Sequence, residues 1–407
     1  MPKAAFDLAE MLRPVEPDHF FREAWEKKPL AVCRNQADYY RGLLSLSDVD
    51  EVIAFTRPKF LQPTDFQPGT PSAPNFVKGW LADDERYAAE FYPEVSDVHE
   101  AFARGKTVII TSMQLRWPPA AALCRNLEAF FGCPVHANLY LTPKGAQGFS
   151  VHHDGHEVFV LQIEGSKHWR FYGPARELPL ADEDGPVSRE GLGPPTQEVS
   201  VRPGDLLYMP RGHVHEAFTS DCLSMHLTVG VKVYRWVDVL RLALDAMSRR
   251  DVRFRESVPP GVLGNGPAAA PVGEQVRELL RILADDARPE EAIDRLGSTF
   301  FRGLAPLPGD YFSAADDAER VGPDTPLERA PGVVCRVVRE HGWAAIEFPG
   351  NRVDGPAKIA SALEFIARTP RFAALALPDD LTADGKLTLV RRLVRARLLK
   401  VATPRGD

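Results

Sequence analysis

The stretch Gly148-Phe149-Ser150-Val151-His152-His153-Asp154-Gly155-His156-Glu157-Val158-Phe159-Val160 decides the fold. Its second half is an apolar, β-branched and aromatic run of strand type, and its first half is polar and interrupted by the turn-prone pair Asp154-Gly155. Side chains of an extended chain alternate between faces. His152 and Asp154 therefore point the same way, about 7 Å apart, and His153 points away. Two potential ligands on one face can meet one ion. His156 shares the parity of Asp154 if the chain runs straight through Gly155, but the turn propensity there ranks His152 ahead of it.

Further along, Gly204-Asp205-Leu206-Leu207-Tyr208-Met209-Pro210-Arg211-Gly212-His213-Val214-His215 reads as a strand, a tight turn and a return strand that carries one histidine inward. The spacing selects His215 over His213. His152, Asp154 and His215 then supply two imidazoles and one carboxylate. That facial set suits non-haem Fe(II) because three coordination positions stay open, whereas a structural zinc would be closed by four ligands. His156, His168, His213 and His226 read as ordinary core or surface histidines, leaving open a contribution of His153, His156 or His213 to the site.

The surrounding pattern predicts a mainly β fold with α additions. From about 107 to 232 the chain alternates short apolar runs with Gly, Pro and Asp turns, the signature of a small barrel or sandwich. Before it, Phe20, Phe21 and Trp25 recur at helical spacing and read as a packing layer. After it, Trp236, Val239, Leu240, Ala243 and Met247, and then Val276, Leu279, Leu280 and Leu283, mark two amphipathic helices, whose apolar faces fit either the barrel or a second subunit. The Pro/Gly stretch Val258–Gly273 is the expected linker, with a boundary close to it. The last hundred or so residues read as a compact α+β module whose final helix carries Lys386, Arg391, Arg392, Arg395, Arg397 and Lys400, taken as a solvated face.

Composition narrows the function. The 407 residues carry 49 Lys and Arg against 56 Asp and Glu, a net charge of −7, so no general basic field exists for nucleic acid and direct nucleic-acid binding is not expected. Five scattered cysteines form no Cys-x-x-Cys or zinc pattern and suit a reducing compartment. The chain shows neither a signal-peptide pattern nor an apolar run of about 18 residues, so no membrane association and a cytoplasmic location are expected. The Pro/Gly-rich connection from Arg176 to Ser200 carries Asp182-Glu183-Asp184, which could attract a basic peptide or be a solvated turn.

Two more observations concern the open coordination positions. Lys167 interrupts a run of aromatic and apolar residues, and a lysine inside a barrel is costly unless an anion meets it; a dicarboxylate that chelates the metal at one end would supply that anion at the other. By alternation His136, Asn138, Tyr140 and Thr142 share one face of the 136–142 run, expected to look into the pocket.

These residues resemble the JmjC-type Fe(II)/2-oxoglutarate oxygenases of the cupin superfamily, and among them the ribosomal oxygenases. The likeness rests on FFREAWEKKPLAV (20–32), GAQGFSVHHDGHEVFVLQIEGSKHWRFY (145–172) and GDLLYMPRGHVHEAF (204–218), and it extends over nearly the whole chain. It implies a double-stranded β-helix (cupin/JmjC) in a catalytic domain at 1–232, a helical dimerisation region at 233–303 and a winged-helix-like module at 304–407, in a homodimer. Implied too are Fe(II) on His152, Asp154 and His215, and Lys167 pairing the distal carboxylate of 2-oxoglutarate. Asn138, Tyr140 and Thr228 are the implied contacts to co-substrate or target. The implied reaction consumes O2 and hydroxylates a histidine or arginine in a basic segment of a ribosomal protein, releasing succinate and CO2. Lys167, where some bacterial members carry arginine, resembles the eukaryotic histidine hydroxylases. The competing readings are a non-catalytic cupin metal-binding or scaffold protein, and a JmjC oxygenase with a non-ribosomal target.

Overall fold

Each alternating run of the central region becomes a strand because it offers one apolar face to a shared interior. In this computed structural model, which describes residues 6–56, 60–62, 76–77, 89–91, 95–181, 183–262 and 269–402, the chain forms two compact units, Met1–Val233 and Tyr234–Asp407. In the first unit, a nine-stranded sheet contains, as central neighbours, Leu206–Met209, Glu157–Gly165, Ser224–Val231 and Val135–Thr142. A five-stranded sheet is ordered Gly185–Pro186, His152–His153, His213–Phe218, Lys167–Pro174 and Gln197–Val201. Val158, Val160, Leu207 and Met209 of the larger sheet pack with Trp169, Phe171, Val201 and Ala217 of the smaller one, and this shared layer closes the barrel.

Two local expectations change. The run 213–218 does not return along the 206–209 strand; the two lie in different sheets, and His213–Phe218 pairs with Lys167–Pro174 and, at His215, with His152. The turn at Pro210–Gly212 is therefore a barrel corner. Gly212 has φ of +83° there, and a Cβ would meet the Arg176 carbonyl oxygen at 2.2 Å, so a side chain is excluded. The 176–200 connection is also not wholly irregular. Gln197–Val201 forms an edge strand whose Val199 and Val201 face the shared core layer while Gln197, Glu198 and Ser200 are exposed, a short alternation inside a Pro/Gly-rich connection. Asp182 lies outside the described residues, and Glu183 is engaged by Arg176 Nη1 at 2.6 Å and by the Leu180 amide at 2.8 Å.

The outer face of the larger sheet is covered by the expected aromatic layer. Phe20, on the helix Pro17–Glu23, is fully buried and meets Tyr208 edge-on at 4.8 Å and Phe159 at 5.7 Å. Such a side chain contributes about 2–3 kcal/mol of burial. Beside it lies a buried ionic cluster. Arg211 Nη1 donates to Glu157 Oε1 at 2.6 Å and to Glu26 Oε1 at 2.5 Å, and the Tyr208 hydroxyl donates to Glu157 Oε2 at 2.5 Å.

The second unit begins with the helices Trp236–Arg250, Ala269–Asp286 and Pro289–Gly303. On the first, Ala243 and Met247 are buried while Trp236 is 85% and Leu240 59% exposed. The Pro/Gly stretch is not where the units part. It lies inside the second unit, and its end is the start of a helix. Helix Pro289–Gly303 is tied to the sheet of Arg336–Glu340, Trp343–Phe348 and Asn351–Pro356, because Ser298 Oγ and Arg336 Nε both donate to the buried Glu347 Oε2 at 2.9 Å. A further core forms around Leu363, Ile366, Leu389, Val390, Leu393 and Val394 of the helices Ala360–Arg368 and Ala383–Arg395. Of the basic residues at the end of the chain, Lys386 pairs with Asp379 at 2.7 Å, Lys400 with Glu328 at 3.0 Å, and both Nε and Nη2 of Arg391 donate to the Val321 carbonyl.

Candidate metal centre

His152 and His215 become cross-strand partners in the smaller sheet, which brings residues 63 positions apart to face each other. Their rings lie 4.4 Å apart. A register shift between Val214 and His215 re-aims the second ring. Asp154 follows two residues after His152, and its Oδ2 stands 3.6 Å from His215 Nε2. The Gly212 amide donates to the Asp154 carbonyl at 2.8 Å, which locks the two motifs together. One ligand atom from each of the three residues lies within 4.8 Å of the others.

The histidine tautomers fit a metal. His152 Nδ1 meets the Ser150 carbonyl at 2.8 Å and His215 Nδ1 meets the His213 carbonyl at 2.9 Å, so in both rings Nδ1 carries the proton and Nε2 is left with a free lone pair. Burial, reinforced by His152, pushes the His215 imidazole well below its ordinary value and keeps it a neutral ligand. Burial opposes ionisation of Asp154, yet the surrounding imidazoles, His156 foremost, hold its carboxyl below the usual carboxylate range. The donor set thus suits a divalent ion with vacant positions.

The triad opens on a cavity of about 620 Å³, open mouth included, which Lys167 also lines. Lys167 is 4% exposed and its Nζ donates to Thr142 Oγ1 at 3.1 Å. Among the described residues no carboxylate forms an ion pair with it. Burial alone pushes its amine down to about 7. A buried cation facing a cavity without a counter-charge is a ready partner for a carboxylate. Of the four residues expected to look into the pocket, Asn138 and Tyr140 line the cavity, with Thr228, whereas His136 and Thr142 do not line it. Asn138 Oδ1 accepts from the Ser112 amide at 3.0 Å, and Thr228 Oγ1 donates to the Asn138 carbonyl at 3.3 Å.

Not every histidine is ordinary. His168 is, bonded to Glu198 at 2.7 Å and Ser200 at 2.9 Å on the outer face. His156 and His226, read as unremarkable, line the cavity. The parity of His226 with Thr228 was the available signal for the second. His156 stands 4.9 Å from the ring of His136 and outside the triad, while His213 serves through its backbone carbonyl. Phe149 at the mouth was also missed; it lies edge-on to His152 at 5.5 Å.

Against known families, residues 111–239 match the JmjC domain. Mouse ribosomal oxygenase 2 is 31% identical over 357 residues, covering 84% of this chain and 72% of the relative. The chain belongs to the JmjC ribosomal oxygenase family. A Drosophila persimilis relative described as the bifunctional lysine-specific demethylase and histidyl-hydroxylase NO66 is 29% identical over 359 residues; the match covers 82% of this chain and spans half the length of that protein. The fold is that of the Escherichia coli ribosomal oxygenase YcfD, with a TM-score of 0.56 at 18% identity over 95% of this chain and 98% of that one. Membership in this JmjC family, together with the His-Asp-His site, makes the chain a 2-oxoglutarate-dependent oxygenase with Fe(II) as its metal. No helix among the described residues is long and apolar enough to cross a membrane.

Proposed function

We propose that this oxygenase hydroxylates a histidine or arginine side chain in a basic segment of a ribosomal protein, with O2 consumed and succinate and CO2 released. The observation that carries the reading is one cavity lined by both the two-histidine, one-carboxylate cluster and a buried lysine that no carboxylate among the described residues meets. His152, Asp154 and His215 would hold the iron, and Lys167 would meet the distal carboxylate of 2-oxoglutarate. Bound iron and 2-oxoglutarate supply the activation of dioxygen. The chain's own task is positioning and exclusion of water. Carbonyls 150 and 213 fix the imidazole tautomers, the Gly212 amide fixes the Asp154 backbone, and Phe149, Tyr140 and Trp169 give the cavity dry walls.

The relatives' names support a ribosomal target, and the histidyl-hydroxylase name of one, together with lysine at 167, favours histidine over arginine. Masses of ribosomal proteins from cells with and without the gene test this. A one-oxygen increment on a histidine or arginine, lost with the gene, is expected; an unchanged set of ribosomal proteins refutes the ribosomal assignment.

The same reading makes 233–303 a dimerisation region and 304–407 a winged-helix-like module in a cytoplasmic homodimer that does not bind nucleic acid directly. Exposed apolar side chains on two helices, Trp236 and Leu240 on one and Val276 and Leu280 on the other, support the dimer. Light scattering of the full chain should give twice the monomer mass, and Trp236→Glu with Leu240→Glu should give the monomer; a monomeric parent protein overturns it.

A further inference from the structure

His226 is the most deeply placed histidine that the metal site does not use. It is 1% exposed and lines the cavity, and its Nδ1 is buried with no hydrogen-bonding partner among the described residues. A buried ring nitrogen without a partner forfeits a hydrogen bond that a ligand can restore. The ring is held firmly. It stacks on Tyr140 at 5.0 Å with an interplanar angle of 2°, lies edge-on to Trp169 at 5.8 Å, and sits at a register shift between Met225 and His226 that re-aims it. Burial and the neighbouring Lys167 ammonium keep the imidazole neutral, so it offers one N–H donor and one acceptor. A carboxylate has about four acceptor sites, and Lys167 would occupy only part of them.

We propose that His226 is a second hydrogen-bond donor, beside Lys167, to the distal carboxylate of the dicarboxylate co-substrate. The inference rests on the oxygenase reading and deepens it by assigning recognition of chain length and terminal charge to a Lys167–His226 pair. A 2-oxo acid without the second carboxylate would leave both groups unmatched.

Calorimetric titration of the full chain, loaded with Mn(II) under anaerobic conditions, tests this with 2-oxoglutarate and with 2-oxobutanoate, which lacks the distal carboxylate. His226→Phe keeps a flat ring against Tyr140 and removes the donor. It should weaken 2-oxoglutarate about tenfold or more and change 2-oxobutanoate by less than about twofold. Equal effects on both ligands, or none on either, overturn the proposal. Failure of the parent protein to bind 2-oxoglutarate would instead overturn the oxygenase reading. Should the phenylalanine variant not fold, nitrogen-15 histidine spectra of the parent protein decide. A ring N–H that becomes protected from exchange with 2-oxoglutarate, but not with 2-oxobutanoate, and is missing in His226→Gln supports the assignment; unchanged exchange refutes it.

Discussion

Replacing Lys167 by methionine should make the ligand-free protein more stable while removing its hold on 2-oxoglutarate. Nζ has one neutral hydrogen-bond partner, Thr142 Oγ1, and burial takes the amine from its ordinary 10.5 to about 7. At about 1.4 kcal/mol per pH unit, keeping the charged form in the fold costs about 5 kcal/mol. Methionine removes that cost and loses a hydrogen bond worth about 1 kcal/mol, and a net gain of about 3 kcal/mol near pH 7 allows for relaxation around the charge. Because the folded value lies below the unfolded one, the unfolded chain binds more protons between about pH 7 and 10.5, and the wild-type protein gains stability as pH rises through that window. Below it both states are protonated and the cost is complete. The advantage of the variant should therefore be largest at about pH 6.5 and shrink toward about pH 9.5. Thermal melting of the metal-free proteins across this range, with calorimetric titration of 2-oxoglutarate, measures both effects. A variant that melts lower at neutral pH, an advantage that widens with pH, or retained 2-oxoglutarate affinity would refute the reasoning.

Four further substitutions bear on the geometry. His215→Ala should abolish stoichiometric metal binding and succinate formation, whereas His213→Ala, which keeps its backbone carbonyl, should preserve most of both; the reverse pattern in a metal titration would sink the ligand assignment. Glu157→Gln leaves Arg211 buried without its inner carboxylate and should cost about 3 kcal/mol, seen as a lower urea midpoint. Gly230→Ala places a Cβ 2.3 Å from His136 Cε1 and 2.7 Å from His156 Cδ2. It should lose about 1–3 kcal/mol by overpacking, and a melting temperature equal to that of the parent protein would show that the histidine pair can shift freely.

The metal triad was legible because it depends on local rules. Strand alternation puts His152 and Asp154 on one face, and Pro-x-Gly-x-x-His picks His215, whichever sheet receives it. Lys167 stood out because a lysine among aromatic strand residues has few tolerable places. The strand at 213–218 is legible as a strand, but its pairing with Lys167–Pro174 is not, since pairing partners are a long-range property that no local pattern carries. The edge strand Gln197–Val201 is hard to read in the sequence because only Val199 and Val201 of its five residues turn toward the core, too short a pattern to stand out in a Pro/Gly-rich connection. The Pro/Gly stretch does not mark the boundary between the units, because breaking the local periodicity says nothing about where long-range contacts end.

Residue order alone, then, dictated the strand-rich middle and the three candidate ligand side chains, consequences of periodicity, and it marked Lys167 as a charge set within an apolar run. Folding in three dimensions added what distant segments do to one another. It set the barrel corner at Gly212, buried Glu157 with Arg211 beside a partly exposed Glu26, and turned His226 from a packing residue into a cavity wall with an unmet nitrogen. The division follows from range: the direction of a side chain relative to its strand is local, while its neighbours and its solvent exposure depend on which strands lie beside and across from it.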